Sequence, residues 1–160
     1  MKKIYFDLDG TLAEWKKASS MRELFENHYF LNLKEQKNIL NFARSLAENA
    51  CHEVYILSAF LPNCTALEDK TLWCVEKAPE IKNRIFIING SNKADAVIKI
   101  LHQEALTNDD ILIDDYSKNL NEWTNAGGKA IKWLNGINGN GNTFKGPRTN
   151  DIRELYQLLA

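Results

Sequence analysis

The stretch Lys3-Ile4-Tyr5-Phe6-Asp7-Leu8-Asp9-Gly10-Thr11 sets the reading of this chain. Residues 3–6 form a short apolar run of the kind that makes a buried strand, and they lead straight into two carboxylates and a glycine turn. Beyond it, apolar runs at 53–57, 84–88, 111–113 and 129–134 predict further strands. Amphipathic segments lie between them. Ser20-x-x-Glu23 has the form of a capping box opening a short helix, and Asn32-x-x-Glu35 resembles a second. After it, Ile39, Leu40, Ala43, Leu46, Ala47 and Ala50 recur at helical spacing. Thr65-x-x-Glu68 predicts another helix, which must end near Pro79. Residues 93–102 place Ala94, Val97, Ile98 and Leu101 on one helical face, a helix around 120–123 stops at Gly127-Gly128, and the last helix spans 152–159. Residues 135–147, rich in Gly and Asn, read as a loop within the domain.

Strands that are apolar on both faces and alternate with helices predict a parallel sheet covered on each side. The fold class is therefore α/β, a Rossmann-like three-layer α/β/α arrangement with about five parallel strands. Residues 1–160 show no internal repeat and no linker, so a single domain is expected. In open sheets of this kind, ligands bind beyond the carboxyl ends of the strands.

Composition excludes several classes. With 44% hydrophobic and 26% charged residues, and only 3 Pro and 8 Gly, the chain is neither low-complexity nor disordered. The 20 Lys+Arg against 21 Asp+Glu leave a net charge of −1, without the basic excess of nucleic-acid binders. No apolar run approaches the roughly 18 residues of a membrane span, and the N-terminus turns acidic too soon for a signal peptide. Cys51, Cys64 and Cys74 are an odd number without ligand spacing, which suits a reducing cytoplasm. His28, His52 and His102 show no ligand spacing either. At 160 residues, the chain has no room for a separate substrate domain or a large lid.

The predicted strand ends carry the chemistry. The first ends in Asp7-Leu8-Asp9-Gly10-Thr11, the second at Ser58 with Ala59 following, the third leads to Lys93, and the fourth ends in Asp114-Asp115. If these tips converge, four carboxylates and one ammonium leave about −3, and the carboxylates raise one another's pKa. A hard divalent cation relieves that repulsion, and an all-oxygen ligand set suits Mg²⁺. The cation and Lys93 would then attract a phosphate. Asp7 and Asp9, spaced i and i+2 around a turn, supply one carboxylate to attack phosphorus and one to handle protons. Ser58, the Ala59 N–H and Thr11 would donate to the phosphoryl oxygens.

D-L-D-G-T after a strand, Ser58, Lys93 and I-D-D resemble, in order, the four motifs of the haloacid dehalogenase-like phosphatases. The likeness runs from residue 4 to about 134. It implies a Mg²⁺-dependent phosphoric monoester hydrolase working through an aspartyl phosphate, with Asp7 as nucleophile and Asp9 as acid/base. It also implies that Asp7, Asp9 through its carbonyl, Asp114 and Asp115 serve the metal, while Gly10, Thr11, Ser58, Ala59 and Lys93 serve the phosphate. Within that superfamily, Phe30-Leu31-Asn32-Leu33, then Glu68-Asp69-Lys70 with Trp73, and Leu112-Ile113-Asp114-Asp115 are similar to the 5′(3′)-deoxyribonucleotidase (5′-nucleotidase, C type) group. The implied substrate is a nucleoside 5′-monophosphate or deoxyribonucleotide. Trp15 and Phe30 fall where that group lines its base pocket.

Two departures accompany the likeness. The group inserts a helical cap of some tens of residues between its first two motifs, whereas residues 16–33 leave room for one short helix, a vestigial cap. Tyr116 stands where the group carries Arg or Asn, and an aromatic there would line the entrance. Closure over a small phosphorylated substrate then falls to the short helix, the 135–147 loop, or a second copy of the chain in a homo-oligomer. An open-site phosphatase acting on another phosphometabolite or a macromolecular phosphate is a second reading. A receiver-like phospho-acceptor is a third, but its acceptor Asp belongs after the third strand, where Ile88-Asn89-Gly90 has none.

Overall fold

A computed structural model describes residues 1–16, 18–49, 51–138 and 143–160. The elements run β1 (Lys2–Phe6), α1 (Met21–Leu24), α2 (Lys37–Glu48), β2 (His52–Phe60), α3 (Ala66–Lys77) and β3 (Asn83–Ile88). They continue α4 (Lys93–Ile100), β4 (Asp110–Asp114), α5 (Ser117–Asn125), β5 (Lys129–Trp133), β6 (Arg148–Thr149) and α6 (Ile152–Leu159). The strands form one sheet in the order β3-β2-β1-β4-β5-β6, every pairing parallel. The α/β reading holds, with a sixth strand beyond the expected five. That strand, β6, pairs only Arg148 and Thr149 with Lys132 and Trp133. Two residues carry no periodicity, so nothing in the sequence marks them.

Strand alternation sorts the core. Ile4, Phe6, Val54, Ile56, Ile111 and Ile113 face α2, α3 and α6, burying Leu40, Ala43, Trp73 and Leu155 with them. Tyr5, Tyr55, Leu57, Ile85 and Leu112 face α4 and α5, against Val97, Leu120 and Trp123. Each such aliphatic side chain contributes about 1.5–3 kcal/mol by leaving water. The two-sided burial is what fixes the register, since a one-residue slip would exchange the faces.

Helix starts differ from the sequence expectation in ways that bear on the site. Ser20 does cap α1, and Glu23 reaches back to the Ser19 N–H at 2.6 Å. The second capping box does not form. Asn32 donates to the His28 carbonyl at 2.9 Å, and α2 starts later, after Gln36. Gln36 spends its side chain elsewhere, donating to the Gly10 carbonyl at 3.0 Å and accepting from the Trp133 indole at 3.1 Å. Thr65 precedes α3 without capping it; its hydroxyl donates to Asp69 at 2.9 Å and accepts the His28 N–H at 3.1 Å. Ala50, expected on the α2 face, lies outside the described residues, as do Lys17 and residues 139–142 of the 135–147 loop.

Within residues 16–33, α1 is a four-residue helix. The segment from His28 to Leu33 is bound to α3. His28 meets Asp69 at 2.9 Å, the Phe30 ring lies 4.6 Å from the Lys70 ammonium, and Trp73 donates to the Leu33 carbonyl at 2.8 Å. Replacing Trp73 by Phe removes that donor and leaves a buried carbonyl unpaired. Trp73→Phe should cost about 1–3 kcal/mol, read as a lower urea midpoint at unchanged slope.

Candidate active site

The strand order reverses around β1, opening a crevice beyond the carboxyl ends of β1, β2 and β4. Asp7 emerges there directly after β1, its N–H donating to the Ile113 carbonyl at 2.9 Å. Asp114 ends β4, Asp115 follows it, and Ser58 and Ala59 lie within the last residues of β2 rather than beyond it. Lys93 opens α4 behind Asn92, whose side chain caps the helix by accepting from Ala94 and Asp95. An ammonium at a helix N-terminus opposes the helix dipole. Here two carboxylates offset that cost: the Lys93 ammonium donates to Asp7 Oδ1 at 2.6 Å and Asp114 Oδ2 at 2.7 Å.

Asp7, Asp114 and Asp115 each present an oxygen within 4.8 Å of the others. This all-carboxylate set fits a hard divalent cation. Burial pushes Asp7 up to about 7, with Lys93 pulling against it and the charges of Asp114 and Asp9 adding to it. Asp115 is pushed up to about 8 by burial and then by Asp114 and Asp7. Burial by itself would draw the Lys93 ammonium down, but Asp114 and Asp7 outweigh it and hold Lys93 above its ordinary value. Asp114 is oriented further by the Tyr116 N–H at 2.8 Å and the Asn119 amide at 2.9 Å.

Lys70 is the site residue that sequence reasoning missed. Its ammonium, buried under Phe30, donates to Asp9 Oδ2, to Ser58 Oγ at 3.2 Å and to the Ala59 carbonyl at 2.5 Å. The cluster therefore holds two ammoniums against four carboxylates, not one. A signal existed: position 70 shares the helical face of Ala66, Trp73 and Cys74, all buried. The other oxygen of Asp9, Oδ1, is buried with no hydrogen-bond partner among the described residues.

Gly10 has φ +82°, and a Cβ there would collide with the Asp115 carboxylate. Its carbonyl accepts from Asn135 as well as Gln36, and the Asn135 amide also reaches Asp115 Oδ2, each at 3.0 Å. Asn135 and Gln36 carried no sequence signal, because only the fold brings them beside the first turn.

A cavity of about 510 Å³ opens over this cluster. Asp7, Asp9, Ser58, Ala59, Lys93 and Asp115 line it, as do Trp15, Phe30 and Tyr116, the aromatics expected at the pocket. Asp114, fully buried and bonded to Lys93, is not among the lining residues. Gly10 and Thr11 are not among the lining residues; Thr11 is fully buried with its hydroxyl unpartnered among the described residues, so the donation to phosphoryl oxygens expected of it is not placed there. A larger cavity of about 760 Å³ lies across Trp15 and Ile137, but it gathers none of the aspartates.

No family model matches the chain, and no curated protein does. Solved structures do. One is D,D-heptose 1,7-bisphosphate phosphatase from B. bronchiseptica, solved with magnesium and phosphate, with TM-score 0.68 and 13% identity over 98% of this chain and 99% of that one. Another, from Clostridium difficile and provisionally named a phosphatase, has TM-score 0.68 and 13% identity over 99% of this chain and 98% of that one. The fold is thus the Rossmann-like parallel α/β one expected from the alternation of strands and helices, shared with these two structures.

The raised carboxyls set the pH behaviour of the metal-free protein. Ordinary carboxyls titrate near 4, whereas Asp7 and Asp115 titrate near 7 and 8 in the folded chain. Between those values the folded state keeps protons that the unfolded chain has released, so stability falls as pH rises through the window. Without metal, the melting temperature should drop from pH 5 to pH 8, and added Mg²⁺ should raise it more at pH 8 than at pH 5. Scanning calorimetry reads both.

Proposed function

We propose that the protein is a Mg²⁺-dependent phosphomonoesterase working through an aspartyl-phosphate intermediate on Asp7. The observation that carries this reading is the pairing of Asp7 with Lys93 in a carboxylate cluster beside Asp9, whose one oxygen is held by Lys70 while the other is unengaged among the described residues. Asp7, Asp114 and Asp115, with the Asp9 carbonyl, would hold the cation. When bound, Mg²⁺ would neutralise charge on the phosphoryl group. An Asp7 oxygen bonds to phosphorus as the phosphorus–ester oxygen bond breaks, and protonated Asp9 gives its proton to the departing oxygen. Asp9, now ionised, takes a proton from water as that water attacks phosphorus. The bond from phosphorus to Asp7 then breaks, releasing inorganic phosphate and restoring both carboxyls. Lys93, Ser58 and the Ala59 N–H steady the transferred group.

The finer reading is a nucleoside 5′-monophosphate or deoxyribonucleotide substrate, supported by Trp15, Phe30 and Tyr116 around the cavity. The magnesium and phosphate in the heptose bisphosphate phosphatase structure support the cofactor. A second reading, another small phosphometabolite or a macromolecular phosphate, is favoured by the four-residue length of α1, which leaves the mouth open to be covered by substrate or a second copy. Among the described residues no helix is long and apolar enough to cross a membrane, and the free thiols Cys51, Cys64 and Cys74 suit a reducing cytoplasm.

Hydrolysis of p-nitrophenyl phosphate with Mg²⁺ should vanish with EDTA and in Asp7→Asn. Asp9→Asn should retain the fold and lose about 10²–10⁴ in kcat. Activity surviving both EDTA and Asp7→Asn overturns the mechanism.

A further inference from the structure

The floor and the rim of the catalytic cavity differ in chemistry. Polar groups gather at the floor. The rim is Trp15, Met21, Tyr116 and Ile137, left 39%, 66%, 59% and 67% exposed. These four come from four separate segments of chain: the loop before α1, α1 itself, the turn after β4 and the loop after β5. Single exposed apolar residues are ordinary. Four around one opening above a charged floor mark a surface that a ligand covers.

The charges sharpen what that ligand is. Among the described residues lining the cavity, the cations are Lys70 and Lys93, both at the floor and both bonded to carboxylates. Of the three lining amides, Asn119 is engaged by Asp114, Asn138 by the Asp115 and Trp133 carbonyls, and Asn89 stands exposed after β3. Among the described lining residues, a second phosphate on the leaving group would lie against carbon without a counter-charge, and a polyol would have the Asn89 amide alone in place of several water contacts.

The rim is also held in place. The Ile137 N–H donates to Asn135 Oδ1 at 3.1 Å, the Asn135 N–H to Asn138 Oδ1 at 3.0 Å, and the Asn138 amide to the Asp115 carbonyl at 2.9 Å. Ile137 thus stands on a turn pinned to the peptide of Asp115. We infer that this site takes a phosphate monoester whose leaving group is flat, apolar and free of a second anion, with Met21 and Ile137 as specificity-determining contacts. The inference rests on the phosphatase reading for the reaction, but on the rim alone for the ligand. A nucleobase and a simple aryl ring share this chemistry.

Two measurements separate the parts. Calorimetry with Mg²⁺ should show 1-naphthylmethylphosphonate binding about tenfold or more tighter than methylphosphonate. Ile137→Ser and Met21→Ser, both at exposed positions and checked for an unchanged melting temperature, should each shrink that ratio severalfold. Steady-state kcat/KM should favour 1-naphthyl phosphate or thymidine 5′-monophosphate about tenfold over glucose 6-phosphate, with fructose 1,6-bisphosphate poorest. Whichever of the first two leads tells an aryl from a nucleobase ligand. Equal binding of the two phosphonates, or preference for the bisphosphate, overturns the inference. Tight naphthyl binding without hydrolysis of any ester sinks the reaction and leaves the rim assignment standing. Hydrolysis without apolar preference does the reverse.

Discussion

The bridge from Lys93 to Asp7 and Asp114 is the contact on which the site depends. A parallel sheet with its switch point at β1 delivers several strand ends to one crevice, and this chain ends two of them in aspartate. Two like charges about 4 Å apart repel by about 4 kcal/mol at an effective dielectric near 20. Lys93, driven into the crevice by α4, converts part of that repulsion into two charge-assisted hydrogen bonds. Burial first, and then the neighbouring carboxylate charge that Lys93 does not offset, keep Asp7 and Asp115 raised.

Lys70 performs the same service one step outward and joins it to the segment after α1. It holds one oxygen of Asp9 while the Phe30 ring covers it. On the same helix, Asp69 pairs with His28 and Trp73 donates to Leu33. The segment after α1 is therefore fastened to the helix that orients the second aspartate. A buried ammonium with three acceptors is tolerable because each of its protons is engaged. Its partners come from β2 and the first turn, so α3 cannot shift without disturbing Asp9.

On the opposite side, Asn135 and Gln36 meet at the Gly10 carbonyl. Gly10 is where the chain must turn through positive φ with the Asp115 carboxylate close by, which only glycine allows. The turn that holds Asp115 also presents Ile137 at the mouth. Asp115 and Ile137 are thus joined through one hydrogen-bonded turn.

Local sequence was enough to read the strand cores, α6 at Ile152–Leu159, the aspartates and Ser58 near strand ends, and Lys93 at the start of α4, because alternation and helical spacing are short-range properties. It misplaced the start of α2 and the use of Thr65, because those side chains found better partners in distant segments than their local caps. The two-residue β6 offered no pattern to read. A parallel α/β fold, and the carboxylates that gather at its edge, were thus written in local sequence. Tertiary packing settled that Lys70 faces Asp9, that Asn135 and Gln36 hold Gly10, and that four apolar residues ring the mouth. Those contacts join residues dozens of positions apart, and packing rather than local propensity chooses them.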